Sequence, residues 1–370
     1  MIFDRIVETG LTQETVQSLL EWFRRSQRQM EWRSNPVPYY VWVSEIMLQQ
    51  TRVEAVRPYF HRFITQLPDI PALAQCDEEK LLKLWEGLGY YNRVRNMQKA
   101  AIIVVNQYGG ILPSDPQLLM ELPGIGSYTA GAIASIAYGV PEAAVDGNVL
   151  RVLSRLTGSD ECIDEPKVKA RFEQLVRDVL NAEDAPPPGE FNQALMELGA
   201  LICLPGTGAR CSECPVRDAC AAYMHGEQAA LPVRKAKKPR RIEKRTILVV
   251  RDATRTVIRK RPERGLLAGL WELPGLEGHL TQRQILDAVS GMGIRPLRIT
   301  PLPESKHIFS HVEWHMHGYL ILSEDLEDLK NGCIAVEPVQ TQKEYSIPAA
   351  FAGYTDYLYD TYEADRKREC

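Results

Sequence analysis

The chain has 370 residues, of which 45% are hydrophobic and 25% charged, enough for two or three domains with full cores and unlike a disordered chain. A formal charge of -4 and a pI near 6.1 exclude a protein that coats nucleic acid through bulk positive charge, so any such binding must be local. The acid-containing start Met1-Ile-Phe-Asp-Arg-Ile-Val-Glu lacks the basic and apolar regions of a secretory signal, and runs such as Ala100–Val105 fall far short of the ~20 residues that span a bilayer. The expectation is a soluble, cytoplasmic protein without a membrane partner and, for want of any oligomerisation signal, a monomer.

From Thr12 to about Ala221 apolar residues recur at helical spacing, as in Val16, Leu19, Leu20 and Phe23, or Val53, Val56, Phe60 and Phe63. Pro68, Pro71, Pro113, Pro116, Pro141 and residues 186–188 punctuate the segments as helix ends require. Glu45 sits among Trp42, Val43, Ile46, Met47 and Leu48. On a helix it is either partly desolvated, with its acid form favoured, or a solvated glutamate on an amphipathic face. Further on, Leu122-Pro-Gly-Ile-Gly-Ser-Tyr-Thr-Ala places Gly124 and Gly126 before a small-residue run, Ala130 to Ser135, that predicts a tightly packed helix. Free N–H groups at its start would face an anion, and because such a turn reads no base edges its natural partner is a sugar–phosphate backbone. Asp146, between Ala143-Ala-Val145 and Gly147-Asn148, is either a helix cap or a carboxylate with a chemical duty, and local sequence does not separate the two.

Four of the eight cysteines, Cys203, Cys211, Cys214 and Cys220, fall within eighteen residues, separated by seven, two and five residues. In an intracellular protein this reads as a metal site rather than a disulfide framework. Structural zinc favours two Cys-x-x-Cys knuckles, and only one short pair exists here; an iron–sulfur cluster suits the uneven spacing better. Arg234, Lys235, Lys237, Lys238, Arg240, Arg241, Lys244 and Arg245 then crowd one segment opposed only by Glu243, as a solvated linker or a phosphate-contacting strap. Beyond it Ile247–Val250, Thr256–Ile258 and Glu313–Ile321 read as strands, with Gln282–Val289 and Ala349–Tyr362 as helices, an α+β domain starting near residue 243. His307, His311, His315 and His317 fit an exposed strand better than a metal site.

Taken in order, Trp42-Val-Ser-Glu-Ile-Met-Leu-Gln-Gln-Thr51, Trp85-Glu-Gly-Leu-Gly-Tyr-Tyr91, the glycine motif with Asp146, Phe191-Asn-Gln-Ala-Leu-Met-Glu-Leu-Gly-Ala200 and the four cysteines resemble the adenine DNA glycosylases. These belong to the endonuclease III-like, helix-hairpin-helix superfamily and excise adenine mispaired with 8-oxoguanine. The resemblance covers almost the whole chain. It implies a multidomain protein: a mostly α helix-hairpin-helix glycosylase domain over 1–225, with a six-helix part and a part holding a [4Fe-4S] cluster on Cys203, Cys211, Cys214 and Cys220; a basic linker over 226–242; and an α+β, Nudix-like 8-oxoguanine-recognition domain over 243–370. The first cysteine gap is usually six residues in that family and is seven here; two glycines in residues 204–210 give the loop room for the insertion.

The same resemblance implies that Glu45 protonates adenine N7, that Asp146 stabilises the oxocarbenium ion, and that Tyr128 lies near both as a hydrogen-bonding partner rather than a core aromatic. Lyases of the superfamily carry a lysine where Tyr128 stands; a phenol forms no Schiff base, so a monofunctional enzyme is implied and a bifunctional glycosylase/lyase is the alternative. Gln50 and Tyr90, the latter following Leu88 and Gly89, match the wedge that fills the gap left by a flipped base. Gly124 and Gly126 match the DNA-backbone turn, Arg33 resembles a contact in the adenine pocket, and Phe309-Ser310-His311 matches the loop that inspects 8-oxoguanine. Leu267-Ala-Gly-Leu-Trp-Glu-Leu-Pro-Gly275 resembles the Nudix hydrolases, although Gln282–Val289 lacks their magnesium-binding glutamates, which makes a pyrophosphohydrolase the lesser rival. A DNA-binding protein without catalysis is the remaining one. The implied partner is double-stranded DNA with A:8-oxoguanine or A:G mispairs, met at the nucleoid of a bacterial cytoplasm.

Overall fold

The computed structural model describes residues 10–236 and 238–359. Its principal helices in the first two-thirds of the chain are α1 (Gln13–Ser26), α2 (Pro38–Leu48), α3 (Val53–Gln66), α4 (Glu78–Trp85), α5 (Asn92–Tyr108), α6 (Ser127–Ala132), α7 (Gly147–Leu156), α8 (Pro166–Leu180) and α9 (Pro188–Leu201). No helix among the described residues is long and apolar enough to cross a membrane. The described residues divide into two compact units, one from 10–75 and 95–236, the other from 76–94 and 238–359.

In the first unit Leu19 and Phe23 of α1, Val149 and Leu153 of α7, Phe172 and Val176 of α8, and Phe191 and Leu195 of α9 share one buried cluster. α2 is apolar on nearly every side, and Tyr39 and Val41–Met47 are all buried; a helix without a polar face belongs inside. The small-residue run is α-helical only through Ala132 and then widens into a π-turn over Ile133–Ala137. Small side chains are needed because the extended segment 141–146 lies directly on α6: a Cβ on Gly131 would fall 1.9 Å from the Ala143 carbonyl oxygen. Asn192 of α9 fixes that segment from the other side, donating from Nδ2 to Glu142 O (2.8 Å) and Ser135 Oγ (2.9 Å) and accepting from Ala144 N (3.0 Å).

The second unit is built on a seven-stranded mixed sheet of β1 (Arg241–Arg251), β2 (Thr256–Lys260), β3 (Trp271–Glu272), β4 (Gly275–Glu277), β5 (Pro296–Ile308), β6 (Val312–Ser323) and β7 (Cys333–Val336). The order β3-β2-β1-β6-β5 has β1 and β6 parallel at its centre; β4 pairs with β1 and β7 with β2. The continuous apolar run of β1 serves both faces. Ile247 and Val249 join Phe351 and Tyr354, while Leu248 and Val250 join Ile285 and Val289 of α10 (Gln282–Gly291).

One strand of this unit was not among the expected elements, and one expected helix is not formed. β5 carries Pro296, Pro301 and Pro303 and reads poorly as a strand; it forms at the sheet edge, where missing N–H groups are tolerated, with register shifts at Pro296/Arg298 and Leu302/Ser305. The helix expected over 349–362 is instead a 3₁₀ turn (Ala349–Phe351), a single α-turn (Ala352–Thr355) and a second 3₁₀ turn (Asp356–Leu358), and residues 360–362 lie outside the described residues. The Tyr354 ring presses on Gly318, where a Cβ would meet it at 2.2 Å, and its hydroxyl donates to Met316 O at 3.0 Å. That local docking takes precedence over regular winding.

Gly131→Ala forces a methyl into the Ala143 carbonyl, and we expect a loss of roughly 3 kcal/mol. Urea unfolding checks it; a change below about 1 kcal/mol would show that the segment carrying Asp146 shifts without cost.

Candidate active site

α2 carries Glu45 into the interior of the first unit, where the residue is 6% exposed. Tyr128, on the first turn of α6, donates its hydroxyl proton to Glu45 Oε2 in a short hydrogen bond. Burial pushes the Glu45 carboxyl up to about 7; the Tyr128 hydrogen bond pulls against this, the charge of Asp146 adds to it, and Arg33 opposes it. Burial, with the neighbouring Glu45 and Asp146 carboxylates, holds the Tyr128 phenol well above its ordinary range, so it remains a proton donor.

Asp146 caps α7. Its Oδ1 accepts from the backbone N–H groups of Asn148 (2.9 Å) and Val149 (2.8 Å), and Oδ2 accepts from Asn148 Nδ2 (2.9 Å). Burial raises its carboxyl, and these three donors, with Arg151, restrain the rise. The cap and the isolated carboxylate are therefore the same residue: one oxygen ties down the helix start, and the group still lines a cavity of about 1130 Å³ with Glu45, Tyr128, Arg33 and Gln50.

Arg33 is placed by a residue to which sequence reasoning gave no role. Glu197, on α9, is almost fully buried and accepts from Arg33 Nη2 (2.8 Å), Arg28 Nη2 and Nε (both 2.9 Å) and the Arg28 backbone N–H (2.9 Å). Burial works to raise its carboxyl, but the two guanidiniums together win and hold it at about 2. Asn148 and Arg151 were missed as well: Arg151 Nη2 donates to Asn148 Oδ1 (3.0 Å) and Gly199 O (2.7 Å), and its Nε to Cys203 O (2.8 Å). A charged residue inside an apolar helical pattern was the available signal, the one that singled out Glu45.

The two glycines of the turn are there for different reasons. Gly124 has φ +81° and a Cβ there would meet Asn96 Cβ at 2.9 Å, so both backbone and packing require it. Gly126, the N-cap of α6, has an ordinary φ of -99°, and a Cβ there would meet nothing within 4 Å. Gln50 at the cavity adopts a left-handed φ of 57°.

Tyr90, Leu88 and Phe309-Ser310-His311 belong to the second unit. Tyr90 also has a left-handed φ, 48°, and is half exposed, whereas Leu88 is buried. Such conformations cost about 1–3 kcal/mol and are kept where something holds them. Around Tyr90 it is Arg93, which donates to the carbonyls of Leu88 (2.9 Å) and Gly89 (3.0 Å). Ser310 and His311 are exposed at the tip of the β5–β6 hairpin, closed by Phe309 N donating to Val312 O at 2.8 Å, with Ser310 Oγ 3.1 Å from His311 Nδ1. Phe309 anchors the tip, its ring edge-on to Trp314 with centroids 5.0 Å apart.

The four clustered thiols are electrostatic neighbours: burial pushes Cys214 up to about 12, and Cys203, Cys220 and Cys211 each add to the rise. Arg155 Nη1 donates to Cys203 Sγ (3.4 Å) and Leu204 O (2.7 Å), and Cys220 donates to Arg155 O (3.4 Å). Arg155 Nη2 also reaches Gly206 O (3.2 Å), and Arg210 N donates to Ile202 O (2.9 Å), closing the seven-residue gap into an ordered loop. Among the described residues, however, no three His, Cys, Asp or Glu side chains converge closely enough to hold a metal ion.

A family model described as HhH-GPD superfamily base excision DNA repair protein matches residues 43–178, and one described as NUDIX domain matches 246–356. The adenine DNA glycosylase of Mus musculus is 36% identical over 354 residues, covering 80% of this chain and 68% of the mouse protein. That of Buchnera aphidicola subsp. Baizongia pistaciae is 31% identical over 319 residues, covering 85% and 88%. The solved structure of a thermostable thymine-DNA glycosylase matches with 27% identity and a TM-score of 0.50, over 57% of this chain and 95% of that one. The helical unit is thus of the base-excision-repair class, joined to a Nudix-like sheet. The chain belongs to the adenine DNA glycosylase family.

Glu45 carries a consequence for stability. Its folded-state value lies above the ordinary 4.5, so the folded chain binds this proton more tightly than the unfolded one. The associated stability is fully present below about pH 4.5 and is lost as pH rises through about 7, on the order of 3 kcal/mol. We expect Glu45→Gln to be more stable than the parent at pH 8 and to lose that advantage by pH 5, measured by urea titration; an advantage constant across the range contradicts a buried acid.

Proposed function

We propose that the chain hydrolyses the N-glycosidic bond of adenine mispaired with 8-oxoguanine or guanine in double-stranded DNA, and leaves the abasic strand intact. The observation that carries this reading is the Glu45–Tyr128 pair facing Asp146 across one cavity: a carboxyl poised near 7 beside a second carboxylate anchored by three donors. Two carboxyl groups in unlike environments suit a reaction that must protonate a poor leaving base and stabilise a cationic sugar. Glu45, whose carboxyl burial pushes up to about 7, gives its proton to adenine N7, and the Tyr128 hydroxyl then stabilises the carboxylate left behind. Asp146 balances the charge that develops on the sugar. Tyr128 offers no amine for a Schiff base, which supports a hydrolase over a lyase. The similarity to adenine DNA glycosylases supports adenine as the base.

The remaining roles follow from the same reading. Gly126 leaves open space where a DNA phosphate approaches the start of α6. Gln50 and Tyr90, each in a strained conformation, fill the duplex when adenine is extruded. Arg33, held by Glu197, borders the adenine pocket. Ser310, small and able both to donate and to accept, meets the N7–H and O8 edge of the opposite lesion. Residues 1–225 act as the glycosylase, 226–242 as the basic linker and 243–370 as the lesion reader. Cys203, Cys211, Cys214 and Cys220, four thiols within eighteen residues, have the donor chemistry of an iron–sulfur cluster, and holding one would require these side chains to draw closer than they stand.

Duplex containing adenine opposite 8-oxoguanine, treated with alkali after incubation, is expected to reveal abasic sites. Asp146→Asn should retain duplex binding and lose excision by about 10²-fold or more; near-normal turnover removes Asp146 from the chemistry. The single-turnover rate should fall as pH rises through about 7, as Glu45 loses its proton, and Glu45→Gln should abolish that limb along with most of the rate. Replacing Phe309, Ser310 and His311 together should erase the preference for 8-oxoguanine over guanine, and an unchanged ratio excludes the hairpin as its source.

A further inference from the structure

The first basic residues of the linker are built into the helical unit. Leu231 is buried and its carbonyl accepts from Arg155 Nε at 2.9 Å. Val233 O accepts from Ile163 N at 3.0 Å, and Lys235 N donates to Asp164 Oδ2 at 2.9 Å, so residues 231–235 run along the segment 163–165. Ile163, Asp164 and Glu165 are themselves part of the cavity wall that holds Glu45 and Asp146. Arg234 consequently stands at the rim: a Cβ placed on Gly147, the residue after Asp146, would lie 3.7 Å from Arg234 Nη2. Two acidic side chains hold the two basic ones, Arg234 Nη1 lying 3.4 Å from Asp164 Oδ1 and Lys235 Nζ 2.9 Å from Glu165 Oε1.

Both pairs are solvated, with Arg234 and Lys235 roughly half exposed, and exposed pairs are worth only about 0–1 kcal/mol. A phosphate, which offers a guanidinium two oxygens and a full charge, competes readily for such a partner. The bonds at Leu231 and Val233 do not depend on those pairs, so the strap keeps its place when a side chain changes partner.

We propose that Arg234 is a positioning residue for the DNA backbone, exchanging Asp164 for a phosphate of the strand whose nucleotide enters the cavity. Asp164 is the internal competitor that holds the guanidinium at the rim until DNA arrives. This rests on the reading of the cavity as a DNA site but adds a residue and a competing partner to it.

The test is binding of the full chain to a duplex with adenine opposite 8-oxoguanine and to a fully paired duplex, by fluorescence anisotropy across a salt series. Arg234→Gln is expected to weaken both about 5–10-fold and to reduce the magnitude of the slope of log K against log salt by about 0.9, the value of one phosphate. Arg234→Lys should restore most of the slope, and Asp164→Asn should tighten binding a few-fold with the slope kept. A purely structural role for Arg234 lowers thermal stability without moving the slope. An unchanged slope in Arg234→Gln, or weaker binding in Asp164→Asn, overturns the proposal. Failure of the glycosylase reading is a separate result, in which the parent chain leaves no alkali-sensitive sites whatever the salt slopes show.

Discussion

Glu45 is a carboxyl group kept almost out of water and given one strong donor, Tyr128, and much of the helical unit is arranged so that this is possible. α2 must be apolar on nearly every side to carry it inward, and that consumes the polar face a surface helix would use for solubility. The cost of desolvation is expressed as affinity for a proton, and Arg33 must stay near enough to moderate it without forming an ion pair that would remove it. Glu197 secures this: with Arg28 and Arg33 both bound to it, the guanidinium of Arg33 is spoken for and acts on Glu45 only through the field. Two buried glutamates a short distance apart in the fold thus end at opposite extremes, one at about 7 and one at about 2, according to the donors each is allowed.

Asp146 is governed by backbone geometry more than by its own surroundings. The segment that delivers it is clamped between Gly131, which has no side chain to keep it away, and Asn192, which satisfies the polar groups the extended chain exposes. Asn148 and Arg151 continue the restraint through Cys203 O, and Arg155 takes up the cysteine loop from its sulfur side. The carboxylate and the cysteine loop are therefore tethered by two arginines of one helix, α7, on successive turns.

Much of this was legible in the sequence. The surroundings of Glu45 left open a desolvated acid or a solvated face, and the family resemblance decided for the acid; the small residues before Ile133 pointed to close packing, and the Ile247–Val250 run to a strand. The partners of Arg33 were not, because Glu197 lies 164 residues away and no local pattern reports which basic residues meet a buried acid. β5 was hidden by its prolines, which are informative only once its edge position is known. The turn sequence after Ala349 has helical spacing and loses the regular helix to a ring-on-glycine contact across the sheet that no single segment encodes. The choice between cap and isolated carboxylate at Asp146 was a false alternative, since the residue that caps α7 also lines the cavity.

The short helix α4 gives the second unit an ownership problem. Lys83 Nζ donates to Thr341 O and Tyr345 O (both 3.0 Å), the Glu86 carboxylate accepts from Ile347 N (2.7 Å), and the Glu79 carboxylate accepts from Trp271 Nε1 (3.0 Å). Residues encoded early in the chain thus complete a sheet encoded last. A chain shortened after the cysteine loop would leave Glu79, Lys83 and Glu86 without these partners.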